Sequence, residues 1–388
     1  HSSIIRPAAN RFINTYIDRL KGKPYKGLDP RLDHILKETY GIMCYQEDVS
    51  KVAVVLADFS PAEADGLRKI LSKKNKAEKL EAYRKKFYTN AEKNGLTTDT
   101  IDEIWEMIIS FEGYSFCKPH SASFALVSFQ SAYLKAHHKA AFMAAVLSNG
   151  GGYYTASAYI SEAKRMGLAI LPPDINASDF KYKGYDTYIR VGFMSIGEIR
   201  FPTLKNILLE REKHGAFRTL EDLFQRVSIP PTDAEILISV GVLDSIAENK
   251  NRAEQLWTAL KITHYKHEVE KENLLFIEDT PPLAIPKIKG PSPMEKLCKE
   301  YTYLSFLCHH HPLVLYHSKI KNRPSLRARD LYKQINKKIS ILGWLVTRKA
   351  ILTNKGNPME FVSFEDETAI FETVFFPETY EKYYTILD

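Results

Sequence analysis

The chain has 388 residues, 44% of them hydrophobic, with 54 Lys and Arg against 47 Asp and Glu, a formal net charge of +7. That is an ordinary globular composition, long enough for a sizeable core and for roughly two to four domains. No amino-terminal signal-peptide pattern is present, Lys or His breaks every apolar run before the ~20 residues a bilayer requires, and Cys44, Cys117, Cys298 and Cys308 are too few and scattered for a disulfide framework or a CxxC metal site. A soluble, cytoplasmic protein is expected.

Helical patterns run from about Asp29 to Leu147, with stop signals at Gly95 and Gly113 and a Gly-Gly-Gly break at 150–152. Within this stretch Arg68, Lys69, Lys73, Lys74, Lys76, Lys79, Arg84, Lys85 and Lys86 form a basic cluster at helical periodicity. Such a cluster is either a solvated face or a surface for a phosphate backbone. The segment "CKPHSASFALVSFQSAYLKAHHKAAFMAAVL" then enters a helix near Ser121 through a Lys-Pro-His cluster. It is apolar nearly all round, which predicts packed core.

A "PPDINASD" loop closes the helical half; its Asp174 and Asp179 superficially imitate a paired-aspartate metal motif. Short alternating segments such as "YIRVGFM" and further helices follow, to about His267. Gly197 and Gly241 each follow an apolar residue at a junction between helical patterns, the shape of a helix-hairpin-helix, which can turn backbone N–H groups toward a phosphate. Residues 277–293 read as a Pro-rich linker. A second basic stretch follows, comprising Lys319, Lys321, Arg323, Arg327, Arg329, Lys333, Lys337 and Lys338. From Lys338 the pattern turns to strand, predicting part of an oligonucleotide-binding (OB) barrel and a short helix at 377–385, with Trp344, Phe361, Phe364, Phe371 and Phe375 available for core or base stacking. The expected fold is multi-domain and mainly α: helical fingers, a helix-hairpin-helix domain, then a partial β-barrel of OB type.

The blocks "YGIMCYQEDVSKVAVVLADFSPAEADGLRKILSKK", "CKPHSASFALVSFQSAYLKAHHKAAFMAAVL" and "ISEAKRMGLAILPPDIN" resemble, in order, the bacterial DNA polymerase III α-subunit family, the C-family replicative polymerases. The resemblance implies a palm edge at 1–30, fingers at 31–174, a helix-hairpin-helix and clamp-binding region at 175–276, a linker and basic helical segment at 277–335 and a partial OB domain at 336–388. It implies that Lys118, His120 and Phe124 meet the incoming nucleotide. Arg68, Lys69, Lys73 and Lys74, with the hairpins at Gly197 and Gly241, are implied to contact DNA, and Leu274, Leu275 and Phe276 to dock into a sliding clamp. Implied partners are primer-template DNA, deoxynucleoside triphosphates, the clamp and other replicative subunits.

In this family Mg²⁺ is held by palm aspartates that would lie upstream of His1, so no catalytic or metal-ligating residue is expected here and the chain alone is expected to be inactive. By the same resemblance Cys308 and His309 to His311 fall on a Gly-His-Pro element and need not bind zinc. The alternative is a non-catalytic DNA-binding scaffold of helix-hairpin-helix and OB modules.

Overall fold

The computed structural model describes residues 10–71, 77–111, 117–150, 152–272, 286–320, 322 and 326–387. They form two compact units, residues 1–132 and 133–388.

The first unit is all helical: α1 (Asn10–Leu20), α2 (Pro30–Ile35), α3 (Gln46–Ala57), α4 (Pro61–Leu71), α5 (Ala77–Lys93), α6 (Thr98–Ile109) and the start of α7 (Lys118–His137). Its core is built by periodicity. Val49, Val52, Ala53 and Leu56 of α3 and Ala64, Leu67 and Leu71 of α4 recur at spacings of three and four, so each helix buries one stripe. Phe87 of α5 lies 5.4 Å from Trp105 of α6, closing this core with aromatic volume. Arg68 and Lys69 fall off the buried stripe of α4 and remain at the surface.

The second unit begins with the end of α7 and continues through α8 (Lys139–Asn149), α9 (Ala156–Arg165) and a small mixed sheet. That sheet has the order β1 (Ala169–Leu171), β3 (Tyr188–Arg190), β2 (Lys183–Tyr185), with β1 parallel and β2 antiparallel to β3. Then come α10 (Phe201–His214), α11 (Leu220–Arg226), α12 (Pro231–Val240), α13 (Arg252–Glu272), α14 (Pro293–Leu304) and the short α15 (His317–Ile320). One apolar cluster runs from Met143 of α8 through Ile189 of β3 to Leu237 of α12. The last elements are β4 (Trp344–Leu352), β5 (Pro358–Glu365) and β6 (Ile370–Phe375), an antiparallel meander in that order, followed by α16 (Pro377–Leu387). Three strands do not close a barrel, in keeping with the expected partial one. Phe364 and Phe371 stack across the sheet at 5.8 Å, and Trp344 meets Tyr301 edge-on at 5.8 Å, so three of the five aromatics serve packing, while Phe361 stays exposed.

The expectation that the Lys118 helix is packed core is corrected. No residue of α7 is buried, and Phe124, Val127 and Phe129 are more than half exposed. The physical reason lies in the two cores: one closes at Phe111 and the other opens at Ala140, and each is complete without α7. A helix that is apolar on every side also lacks the single stripe that commits a helix to one neighbour.

The segment Cys308 to His311 is a corner between α14 and the sheet. The Cys308 N–H donates to Glu300 Oε1 at 2.7 Å, and Lys164 Nζ donates to the carbonyls of Leu307 and His310 at 2.6 and 2.8 Å. His311 Nδ1 accepts the Leu313 N–H at 3.3 Å, capping the turn that begins at Pro312. Among the described residues no group of three or more His, Cys, Asp or Glu is placed to hold a metal ion.

Glu365, at the end of β5 and 1% exposed, ties the sheet to α9. It accepts from Ser161 Oγ at 2.7 Å and Arg165 Nη1 at 2.9 Å, while His311 Nε2 stands 3.5 Å away, an electrostatic approach. Burial alone would raise its carboxyl, but His311, Ser161 and Arg165 outweigh burial and hold it below the ordinary glutamate value of 4.5. Glu365→Gln should lower stability by about 1–3 kcal/mol, because Arg165 loses the more buried of its two carboxylate partners and keeps only Glu162; equal thermal denaturation of variant and parent refutes this. A carboxyl depressed in the folded state stabilises fully above its unfolded value. This contribution should therefore be complete above pH 4.5 and vanish as pH falls through the lower folded value, and pH-resolved calorimetry should show a shallower acid slope in Glu365→Gln.

Candidate nucleotide and nucleic-acid interface

The first turn of α3 organises the candidate site. Asp48 turns back on its own helix and accepts the N–H groups of Cys44 at 3.1 Å and Tyr45 at 2.9 Å, occupying donors that a helix start leaves free. It is buried, and burial is the main cause that raises its carboxyl. Successive helical residues point about 100° apart, so Gln46 and Glu47 reach different neighbours. Gln46 Oε1 accepts Arg68 Nη1 of α4 at 3.1 Å, and Glu47 Oε2 accepts the backbone N–H of Lys118, the first residue of α7, at 3.0 Å.

That second contact is an N-cap supplied in trans. Cys117, which precedes α7, is a poor capping residue, whereas a carboxylate at a helix start satisfies a free N–H and meets the positive end of the dipole, worth about 0.5–2 kcal/mol. Burial would raise Glu47, yet the Lys118 N–H, Cys117 and neighbouring donors hold it lowered. The Lys118 ammonium extends past the Tyr45 ring, 5.9 Å from its centroid, to an ion pair with Glu38. Hydrogen bonding to Glu38 raises the Lys118 pKa, so the side chain is cationic at neutral pH.

Arg68 is also held by Asp65, whose Oδ1 accepts Nε at 2.9 Å and Nη2 at 2.7 Å; Lys69 pairs with the other oxygen of the same carboxylate at 2.6 Å. A groove of 540 Å³ between α3 and α4 is lined by Glu47, Lys51, Asp65 and Arg68 over an apolar floor that includes Val54. Arg68 and Lys118, far apart in sequence, are thus gathered around one helical turn, with Lys69 beside Arg68 on α4. His120 and Phe124 lie on the exposed first turns of α7, Phe124 65% exposed. Lys73, Lys74, Leu274, Leu275 and Phe276 lie outside the described residues.

The two hairpin glycines occupy turns, but neither N–H is free. Gly197 donates to Tyr303 O at 2.7 Å, and a Cβ there would stand 3.2 Å from that oxygen. Gly241 ends α12 at φ +87 and donates back to Ile238 O at 3.0 Å, as a C-cap glycine does. At the first hairpin Glu198 adopts φ +64, which a non-glycine residue takes at some cost. Arg200 then opens α10, sharing the buried carboxylate of Asp233 in α12 with Thr203 and so joining the two hairpin helices. Asp174 and Asp179 are structural: Asp174 Oδ1 accepts the N–H groups of Asn176 and Ala177, and Asp179 pairs with Arg211 and Lys183.

Glu47, Gln46 and Glu38 escaped the sequence reading. They lie inside the quoted "YQED" block or just before it, but only the fold shows that they hold the predicted cations.

Two family profiles match the chain: the bacterial DNA polymerase III alpha subunit finger domain over residues 1–95 and the helix-hairpin-helix motif over 167–254. Among curated proteins, the DNA polymerase III subunit alpha of Aquifex aeolicus is 34% identical over 97% of this chain and 32% of its own length. Those of Staphylococcus epidermidis and Borreliella burgdorferi are 32% identical over 99% and 100% of this chain, covering 36% and 35% of theirs. The chain spans about a third of the length of these relatives. A scaffold of helix-hairpin-helix and OB modules does not account for a finger-domain match, and the similarity extends beyond both profiles to nearly every residue. By these blocks and their order, the chain belongs to the bacterial DNA polymerase III α-subunit family.

Proposed function

We propose that this chain is the fingers and DNA-binding portion of a replicative, DNA-directed DNA polymerase, a nucleotidyltransferase that copies a template in the bacterial cytoplasm. The observation that carries this reading is the gathering of Arg68 and Lys118 around the first turn of α3, within and just beyond the finger-domain match. Two cations and a helix start gathered around one helical turn suit a triphosphate. Arg offers a planar fork and Lys a mobile point charge, and both gain from charge-assisted hydrogen bonds to phosphate oxygens. Glu38 holds Lys118 only through an exposed ion pair, which a polyphosphate of higher charge can replace. Phe124, one turn past His120 and exposed, is available to cover a base or sugar.

In this reading the fingers span 31–174 and the hairpin region 175–276, while 336–388 is the start of an OB domain. Primer-template DNA lies along Lys69, Lys73 and Lys74 and beside the hairpins at Gly197 and Gly241, while Arg68, at the edge of that basic face, is turned to the nucleotide phosphates. Leu274, Leu275 and Phe276 form the clamp peptide; two leucines and a ring are the kind of anchors that carry peptide docking. Glu272 stands where relatives usually have Gln, which weakens that docking because a carboxylate cannot donate. Nucleotidyl transfer in this family uses Mg²⁺. The described residues hold no carboxylate cluster fit for it, so no metal-dependent step is assigned to this chain. No described helix is long and apolar enough to cross a membrane.

In the polymerase assembled with its palm, Lys118→Ala and His120→Ala should each raise nucleotide KM or lower turnover by about 10- to 100-fold, matching the loss of one charge-assisted phosphate contact, with DNA affinity nearly unchanged. Unchanged single-nucleotide kinetics in both variants argue against the nucleotide reading. The chain alone should bind primer-template DNA with an affinity that falls steeply with salt, as phosphate contacts release counterions; a flat salt dependence in fluorescence anisotropy contradicts the DNA assignment. Leu275→Ala with Phe276→Ala should abolish clamp binding in a folded protein, and retained binding would move the clamp contact elsewhere.

A further inference from the structure

The Arg68 guanidinium and the Lys118 helix start are not held by each other, nor by the core. Two consecutive side chains of α3 reach both. Gln46 Oε1 fixes one face of Arg68 while Asp65 fixes the other, and Glu47 Oε2 takes the first N–H of α7. Glu47 and Arg68 line the same groove between α3 and α4, so the two contacts are neighbours. A carboxylate in that position repels a polyanion unless its hold on the cations contributes more than its own charge costs.

We propose that Gln46 and Glu47 are positioning residues of the nucleotide site, Gln46 aiming Arg68 and Glu47 fixing the register of the first turn of α7, so that Lys118 and His120 face the same phosphate chain as Arg68. This rests on the nucleotide reading above. Neither residue touches the nucleotide. Glu47 acts on the backbone of Lys118, so its effect reaches the ligand through where the helix starts. Gln46 suits its task because it is neutral: it accepts from Arg68 without neutralising the charge that the phosphate needs, whereas Asp65 already supplies the countercharge.

The two roles open to Glu47 predict opposite signs. A mere repulsive neighbour, once removed, lowers nucleotide KM; a positioning residue, once removed, raises it. In the palm-containing polymerase, single-nucleotide incorporation should show KM raised about tenfold in Glu47→Ala and less in Glu47→Gln, whose amide oxygen still accepts the Lys118 N–H, with DNA dissociation constants within about twofold of the parent. Gln46→Ala should raise KM several-fold in the same way. If Glu47→Ala lowers thermal stability, Glu47→Gln decides alone: a KM at or modestly above the parent value supports positioning, and a lowered KM overturns the proposal. Arg68→Ala and Lys118→Ala are the reference arms. If they raise KM while the Glu47 and Gln46 variants do not, only this proposal falls; if they too leave KM unmoved, the nucleotide reading falls and takes the proposal with it.

Discussion

Free N–H groups at a helix start have to be met, and in the first unit the carboxylates of one turn meet them twice. Asp48 closes the start of its own helix and Glu47 closes the start of α7. The second contact reaches across most of the unit's sequence and fixes where a helix apolar on every side begins. Without it, α7 would have a cysteine at its entrance and no buried stripe to set its rotation. The candidate site follows from this arrangement: Lys118 stands where it does because its own N–H is held, and its ammonium then reaches over Tyr45 toward Glu38.

The sequence reading succeeded where one periodicity served one purpose. The stretches "ISILGWLVTRKAIL", "MEFVSF" and "AIFETVFF", separated by turn residues, hold the three strands in the expected order, and the burial stripes of α3 and α4 follow their spacing of three and four. It failed at α7, where composition says buried and the structure says exposed, because composition reports what a segment can bury and not whether two already complete cores leave it a place. The cations at Arg68, Lys69 and Lys118 were legible as charges on helices. Their holders were not, since Gln46, Glu47 and Glu38 are ordinary polar residues whose role depends on contacts far away in sequence.

The same logic separates the two histidine and acid clusters that most resemble chemistry. Cys308 to His311 is dense in metal-ligating types, yet its backbone is consumed by Lys164 and Glu300, and His311 is turned inward to cap a turn and approach Glu365. Asp174 and Asp179 are likewise consumed by backbone N–H groups, Arg211 and Lys183. A catalytic carboxylate pair needs free oxygens turned toward a common point; these are turned toward the chain that holds them.

The hairpins raise the opposite question, because a glycine turn is read as a phosphate cradle only if its amides are free. Gly197 gives its amide to Tyr303 and Gly241 to Ile238. The glycines therefore serve the backbone: one permits the close approach of α14 and the other the left-handed turn after α12. The DNA contact proposed for this region therefore falls to side chains and to other amides. Lys289, Lys296 and Lys299, with Arg252, line a 450 Å³ hollow beside the second hairpin, where Glu235 and Glu295 offset only part of their charge. Contacts of that kind position a backbone without reading bases, which is the sequence-independent hold that the proposed function asks of this region.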